Sequence, residues 1–157
     1  RVVGPGTVTI GGMPIKAAIA CYPPTDMPHY EDISVKFNGK LRPLSNRMGT
    51  TPEKDPALFV EVSPLDRLTP KAPPFLILHG DADKTVNLEH ARRFAEKAKT
   101  LGVPCELVVV KNANHGFSPT DKQQPITPTK AEINTQILQF FLAQSAKPAP
   151  AIPATAR

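Results

Sequence analysis

The sequence predicts an α/β fold in which about three parallel strands are covered by helices. Its apolar runs lack the polar alternation of a half-exposed strand, so each run is expected to be buried on both faces of a sheet. Helical patterns separate these runs, and the order strand, helix, strand, helix, strand, helix is typical of a parallel sheet. A chain of 157 residues with 40% hydrophobic content is long enough to bury such a core.

The first strand is predicted over residues 15–22, "IKAAIACY", an apolar run that ends at Pro23-Pro24. The preceding stretch "VTIGGMPI" fits either a short hairpin around Gly11-Gly12 or an extended lead-in. Residues 23–54 show no clear periodicity, and a connection of this length usually serves function or carries short elements of its own. We expect this connection to cover a substrate pocket, with Tyr22, Asp26, Met27 and Tyr30 as candidate lining residues.

A short helix is predicted from "KDPALFVEV", with Asp55 as N-cap and Pro56 in the first turn. Phe75–Leu78 predicts the second strand, and the next helix is expected over about Leu88–Leu101, capped by Asn87. Gly102 ends that helix. Its buried face repeats at i, i+3, i+4 and i+7, through Ala91, Phe94, Ala95, Ala98 and Leu101.

Cys105–Val110, "CELVVV", predicts the third strand, and Thr127 and Pro128 are expected to open a last helix. We predict one folded domain over residues 1–145, followed by a Pro/Ala-rich disordered tail over residues 146–157. The residues of the last helix that are expected to be buried are Ile133, Ile137, Phe140 and Phe141.

Charge and composition argue against several functional classes. The net charge is +5, but the basic residues are scattered and few aromatic residues accompany them, so no nucleic-acid surface is predicted. No apolar run approaches about 18 residues, the minimum for a membrane span.

Cys21 and Cys105 should lie at opposite edges of a parallel sheet, too far apart for a disulfide, and they lack metal-ligand spacing. We therefore expect free thiols and neither metal nor cofactor, while the cellular compartment stays open.

Ionisable side chains follow two of the predicted strands at the same edge of the sheet. Asp81 and Asp83 come after the second strand, and His115 comes after the third. Loops at the carboxyl ends of neighbouring parallel strands lie close together, and a carboxylate beside a histidine fixes the ring for acid–base work. Each residue alone also has a structural reading, as a turn-capping Asp or an exposed loop histidine. The other histidines, for which we expect structural roles only, are His29, His79 and His90.

Two of these segments, "PPFLILHGDADKTV" and "GVPCELVVVKNANHGF", closely resemble the C-terminal half of α/β-hydrolases. The nearest branch is the esterase/lipase and prolyl-oligopeptidase-like group, including bacterial carbohydrate esterases. "RMGTTPEKDPALFVEVSPLDRLTPKAPP" and "IKAAIACYPPTD" resemble further segments of the same enzymes, so the resemblance covers roughly residues 15–145. It implies a partial α/β-hydrolase fold that corresponds to the C-terminal half of the sheet.

The resemblance also assigns residues. The aspartate of the family's triad lies in a D-x-x-V pattern, which is matched by Asp83 with Val86 and leaves Asp81 as a turn residue. The family's histidine falls on His115. Ser63-Pro64 matches a recurrent structural Ser-Pro pair, which implies that Ser63 is not a nucleophile.

The family's nucleophile serine, in the pattern G-x-S-x-G, has no counterpart in the sequence. Cys21 would fit the order nucleophile, acid, base, but it has no flanking glycine, and no helix can start at Pro23-Pro24 to lower the pKa of its thiol. We therefore expect the nucleophile to lie outside this chain, in an N-terminal half, and the chain alone to be inactive. None of the serines lies between two elbow glycines: Ser34, Ser45, Ser63, Ser118 and Ser145.

The resemblance implies a serine hydrolase that acts on a small-molecule ester, with acylated carbohydrate as one candidate substrate. A serine peptidase of the prolyl-oligopeptidase type and a non-catalytic interaction module are the alternatives. The unpaired edge of the first strand predicts a partner, either the N-terminal half of the hydrolase or a self-associated copy of this chain.

Overall fold

The computed structural model describes residues 9–10, 13–29, 35–37, 40–42 and 48–146. The strands are β1 (Thr9–Ile10), β2 (Met13–Pro14), β3 (Ala18–Cys21), β4 (Val35–Phe37), β5 (Lys40–Arg42), β6 (Phe75–Gly80) and β7 (Cys105–Val110). The helices are α1 (Pro56–Glu61), α2 (Pro64–Arg67), α3 (Glu89–Thr100) and α4 (Lys130–Ser145), and a 3₁₀ turn spans His115–Phe117.

The central sheet has three parallel strands in the order β3-β6-β7. Cys21 lies opposite Leu78, and Gly80 lies opposite Val110. The carboxyl ends of the three strands therefore meet at one edge, and the predicted parallel sheet of about three strands is confirmed.

Helices cover both faces of the sheet, as successive residues of one strand show. Ile77 packs in a core with α3, whose buried residues Ala91, Phe94 and Ala98 lie on the predicted stripe. The neighbours of Ile77 along β6 belong to a second core, which includes residues of α4. Because adjacent strand residues point to opposite faces, the two cores lie on opposite sides of the sheet. The β6 and α4 residues of the second core are Leu76, Leu78, Ile133, Ile137 and Phe140.

The start of α3 differs from the prediction by one residue. Leu88, and not Asn87, occupies the N-cap position. The backbone carbonyl of Asn87 accepts a hydrogen bond from His90 N–H in a tight first turn. The Asn87 side chain still accepts from Glu89 N–H at 3.0 Å, so its contribution is that of a capping residue.

The last helix starts later than Thr127 and Pro128, and one predicted core residue is exposed. Thr127 exchanges two backbone hydrogen bonds with Lys111 and is therefore held in an extended bridge. The helix instead begins after Thr129, which forms a reciprocal capping box with Glu132. Phe141 is 44% exposed because it lies one position beyond the stripe that faces the sheet.

The segments before and between these elements carry short hairpins. Thr9 pairs antiparallel with Pro14 and Ile10 with Met13, so the hairpin reading of "VTIGGMPI" is correct. The long connection after β3 contains the antiparallel pair β4–β5. Asp55 caps α1 as predicted, by accepting from Leu58 N–H. Residues 147–157 of the predicted tail lie outside the described residues.

Candidate active site

The turn after β6 surrounds the carboxylate of Asp83, whose side chain is fully buried. Its Oδ1 accepts hydrogen bonds from Thr85 N–H at 2.8 Å and from Val86 N–H at 3.0 Å. An aspartate that accepts amides two and three residues later closes a tight turn, which is a structural role. Its second oxygen, Oδ2, is left to face other side chains.

His115 supplies that second contact. Its Nδ1 lies 2.9 Å from Asp83 Oδ2, so the expected hydrogen bond between the two side chains is present. An ionised carboxylate can only accept, so Nδ1 carries the proton and Nε2 of the neutral ring is free to accept one. The His115 side chain is 34% exposed, which leaves the ring accessible from solvent. A buried carboxylate that orients an accessible imidazole is an arrangement that can support general base catalysis.

Close backbone contact holds the two loops together. Asp81 N–H donates to Val110 O, and Ala82 N–H donates to Ala113 O at 3.1 Å. A Cβ atom placed on Gly80 would lie 2.2 Å from Ala113 O. Only glycine fits at that position without pushing the acid loop away from the histidine loop.

His79 also contacts the acid, which the sequence did not predict. Its ring is fully buried, and Nε2 lies 2.9 Å from Val86 O and 3.4 Å from Asp83 Oδ2. By donating from Nε2, the ring closes the turn that holds Asp83. The structural role expected for His79 is therefore correct, but its place beside the acid follows from the turn and not from any sequence spacing.

The environment of Asp83 favours the ionised form. Burial raises the pKa of this carboxyl, but hydrogen bonds from the His79 side chain, from the amides of Val86 and Thr85 and from the His115 ring outweigh burial and lower the pKa to about 2. The carboxylate is thus charged at any pH at which a histidine base could work. It can orient the His115 ring and stabilise its protonated form without taking up a proton.

The lowered pKa predicts acid sensitivity. Between about pH 4 and pH 2 the unfolded chain binds a proton at residue 83 that the folded chain does not, so stability falls with falling pH across that window. The loss attributable to this carboxyl is at most about 2 kcal/mol. Urea denaturation of the wild type and of Asp83→Asn at pH 5 and pH 2 measures it. The variant should lose less stability than the wild type over that interval, and equal losses would contradict the role of Asp83.

Tyr22, at the end of β3, lies against the candidate base. Its ring centroid is 4.3 Å from that of His115 and 5.2 Å from that of Phe117. Both Tyr22 (φ 44°) and Phe117 (φ 54°) adopt the left-handed backbone region that bulky residues normally avoid. Tyr22 is therefore a lining candidate whose ring the structure places against His115.

The other lining candidates have no such contact with His115 among the described residues. Asp26 is buried and pairs with Arg93 at 3.1 Å and with His29 at 2.9 Å. Met27 packs in a small core with Phe59 and Val86. Tyr30 lies outside the described residues. Asp26 thus contacts α3 through Arg93. Met27 packs against Val86, whose N–H donates to the Asp83 carboxylate, so its assignment to a pocket stays a prediction.

His90 and Ser63 hold the start of the segment after β3 in place. His90 is buried, and its Nδ1 accepts from the backbone N–H groups of Thr25 and Asp26. Ser63 is also fully buried; its hydroxyl donates to Thr25 O at 3.1 Å, and its oxygen caps α2. These contacts support the structural reading of Ser63 and His90.

Both cysteines are free thiols, as predicted. Cys21 lies opposite Leu78 and Cys105 opposite Phe75, which places them at opposite ends of the strands. Burial raises the pKa of the Cys21 thiol, and it raises that of Cys105 to about 11. A raised pKa keeps Cys21 protonated at neutral pH, which is unfavourable for a nucleophile.

Among the residues that the structure describes, no three His, Cys, Asp or Glu side chains are grouped so that they could bind a metal ion. Within the same part of the chain, the helices are all too short or too polar to cross a membrane.

A model of the prolyl oligopeptidase family matches residues 10–141. The chain belongs to this family. As a member of the prolyl oligopeptidase family it is part of an α/β-hydrolase, and the loops of Asp83 and His115 lie within the matched range. The broad prediction of a serine-hydrolase relative is thereby confirmed.

Relatives of known sequence include an esterase and an uncharacterized peptidase. The chain is 35% identical to Esterase LipC of Mycobacterium tuberculosis over 72 residues. The aligned region covers 45% of this chain and 18% of the relative. The chain is 31% identical over 85 residues to the uncharacterized peptidase YtmA of Bacillus subtilis, covering 54% of this chain and 33% of the relative. The chain thus spans a third or less of both relatives.

Solved structures share the fold. A truncated carbohydrate esterase from gut microbiota superposes with a TM-score of 0.66 at 23% identity, covering 85% of this chain and 44% of that one. Esterase 2 of the planctomycete Thermogutta terrifontis, with propionate bound, gives a TM-score of 0.55 at 29% identity, covering 88% and 46%. Dipeptidyl peptidase 4 of Porphyromonas gingivalis gives 0.62 at 21% identity, covering 82% and 16%. This member of the prolyl oligopeptidase family covers less than half of the length of each of these three structures.

Proposed function

We propose that this chain supplies the acid and the base of a serine carboxylic-ester hydrolase, with Asp83 and His115 as two members of a Ser-Asp-His triad. The observation that carries the proposal is the 2.9 Å contact between the buried Asp83 carboxylate and Nδ1 of the accessible His115 ring. The similarity to Thermogutta terrifontis esterase 2 at 29% identity supports ester substrates. Acylated carbohydrate is one substrate class to test.

The proposed reaction is acyl transfer through the His115 ring. Nε2 accepts the proton of a serine hydroxyl as the serine oxygen attacks the ester carbonyl, and the protonated ring then gives this proton to the departing alcohol. Water attacks the resulting acyl-enzyme in the same way, which releases the carboxylic acid and restores the serine. Asp83 keeps Nδ1 protonated throughout and stabilises the transient positive charge.

The serine in this proposal comes from a segment outside the chain. One edge of β3 pairs with no strand in the part of the chain that the structure describes, and an unpaired edge can accept another strand. An apolar stripe on the outer side of α4 offers a second contact surface through Leu138, Phe141 and Leu142, which are 58%, 44% and 60% exposed. We propose the N-terminal half of the hydrolase as the partner, with a second copy of this chain as the alternative.

A serine peptidase is the second candidate. The family model bears the name of a peptidase family, and YtmA of Bacillus subtilis, at 31% identity, is described as a peptidase. The same acid and base serve both chemistries, since amide and ester hydrolysis differ mainly in the leaving group. The two candidates are therefore separated by substrate and not by these residues.

The test is an assay of the longest native chain that contains these residues, beside the 157-residue chain alone. Short p-nitrophenyl esters and p-nitroanilides of X-Pro peptides are offered to both. We expect ester hydrolysis by the longer protein and none above buffer by the shorter one. Hydrolysis of the anilides alone would favour the peptidase, and hydrolysis of neither substrate by the longer protein would favour a non-catalytic interaction module.

A further inference from the structure

Asn114, the residue before the candidate base, joins the two loops of the site. Its side-chain oxygen Oδ1 accepts a hydrogen bond from His115 N–H at 2.8 Å. The same oxygen accepts a second hydrogen bond from Lys84 N–H, 2.9 Å away and 30 residues earlier in the chain. One carboxamide oxygen thus ties the backbone of the base to the backbone of the turn that holds the acid.

Through this contact, Asn114 provides the acceptor for the first of three successive backbone N–H groups in the acid turn. The next two amides, those of Thr85 and Val86, donate to Asp83 Oδ1. Three consecutive N–H groups therefore point at side-chain oxygens, two at the acid and one at Asn114. Loss of the Asn114 oxygen would leave Lys84 N–H without its acceptor. It would also remove one of the hydrogen bonds that join this turn to the loop of His115, while the bond from Ala82 N–H to Ala113 O would remain.

The backbone hydrogen bonds of Asn114 fix the direction in which its side chain leaves the loop. Asn114 N–H donates to Ser118 O at 2.8 Å, and Asn114 O accepts from Phe117 N–H at 3.0 Å. The side chain therefore projects from a closed 3₁₀ turn that carries His115. Because the turn is closed by these bonds, the position of Asn114 Oδ1 also determines the position of the His115 ring that follows it.

We propose that Asn114 is a positioning residue that sets the distance between His115 Nδ1 and Asp83 Oδ2. This inference builds on the proposed function of that pair. Asn114 does not touch the proposed reacting atoms; it acts through the two loops. The required property is an acceptor oxygen at the δ position, which Asp retains and Ala lacks.

A spectroscopic test needs neither the serine nor any activity. The Nδ1 proton of a histidine bonded to a buried carboxylate gives a strongly downfield signal in the ¹H NMR spectrum, and His115→Gln assigns it. In the 157-residue chain we expect Asn114→Ala to lose this signal and Asn114→Asp to keep it. Circular dichroism and urea denaturation confirm that each variant is folded. Retention of an unshifted signal in folded Asn114→Ala would overturn the proposal.

Asn112 provides a matched control in the same loop. Its side chain makes four hydrogen bonds, all to Thr120, Asp121 and Gln124 and none to the acid turn. Asn112→Gly removes these bonds and suits the positive φ of 56° at this position. It should lower stability while keeping the downfield signal. If Asn112→Gly loses the signal too, general loosening of the loop explains the effect and the proposal is wrong.

An activity measurement on the longest native chain adds a second, separate readout. A displacement of the ring by about 1 Å costs roughly 10²-fold in rate. We expect Asn114→Ala to lower kcat by about 10- to 100-fold with KM changed by less than about twofold, and Asn114→Asp to restore most of the rate. Should the wild type hydrolyse no ester, the proposed function fails, and the NMR comparison still decides the role of Asn114.

Discussion

Replacement of His115 by alanine in the longest native chain that carries these residues is expected to lower kcat for ester hydrolysis by at least about 10⁴-fold. The imidazole is the group that removes the serine proton and later protonates the alcohol. Alanine supplies neither function. A water molecule would not be held in the place of His115 Nδ1, which lies 2.9 Å from Asp83 Oδ2. The measurement is steady-state hydrolysis of a short p-nitrophenyl ester.

The fold should survive this change, so lost activity can be read as lost chemistry. The His115 side chain is 34% exposed, and Asp83 keeps its hydrogen bonds from Thr85 and Val86 when the ring is removed. His29→Ala is the matched control, since that ring is 54% exposed and lies in the segment after β3. The control should retain the wild-type rate within about twofold. A folded His115→Ala variant that hydrolyses ester at the wild-type rate would remove His115 from the mechanism.

Much of the fold was predictable because its signals are local. The strand Cys105–Val110 was placed at both ends by its apolar run and the following polar residues. The buried face of α3 followed from its apolar period, with Ala91, Phe94 and Ala98 buried as expected. The error at Phe141 arose because sequence period shows that a stripe exists but not how many residues of a helix the sheet can cover.

The meeting of Asp83 and His115 was predictable for a topological reason. Neighbouring parallel strands end at one edge, so the spacing of 32 residues along the chain becomes a contact between loops. Details within the loops were not predictable. The contact of His79 with the acid, and the shared oxygen of Asn114, depend on turn geometry that many sequences could form. An Asn or Asp in a loop signals a side-chain oxygen that can accept from backbone N–H groups, but not which N–H groups will donate to it.

Asp83→Asn should lower kcat by about 10⁴-fold. The His115 ring stays in place in this variant, but its proton moves to the other nitrogen. The amide keeps an oxygen that can accept from the N–H groups of Thr85 and Val86, so the turn can close as before. Its NH₂ group then faces Nδ1 of His115 in place of Oδ2. Two donors cannot share that contact, so Nδ1 must become the acceptor and the proton moves to Nε2. A ring protonated at Nε2 cannot take the serine proton.

Asp81→Asn is the control that separates the two carboxylates of the turn. Asp81 is exposed; its nearest partners are Ala113 N–H at 3.4 Å and the Lys111 ammonium at 3.9 Å, and neither touches the ring of the base. We expect Asp81→Asn to keep kcat within about threefold of the wild type. A large loss in Asp81→Asn together with a normal rate in Asp83→Asn would transfer the acid role to Asp81. That transfer would require the loop to rearrange in the complete enzyme, because here only the Asp83 carboxylate is both buried and bonded to His115.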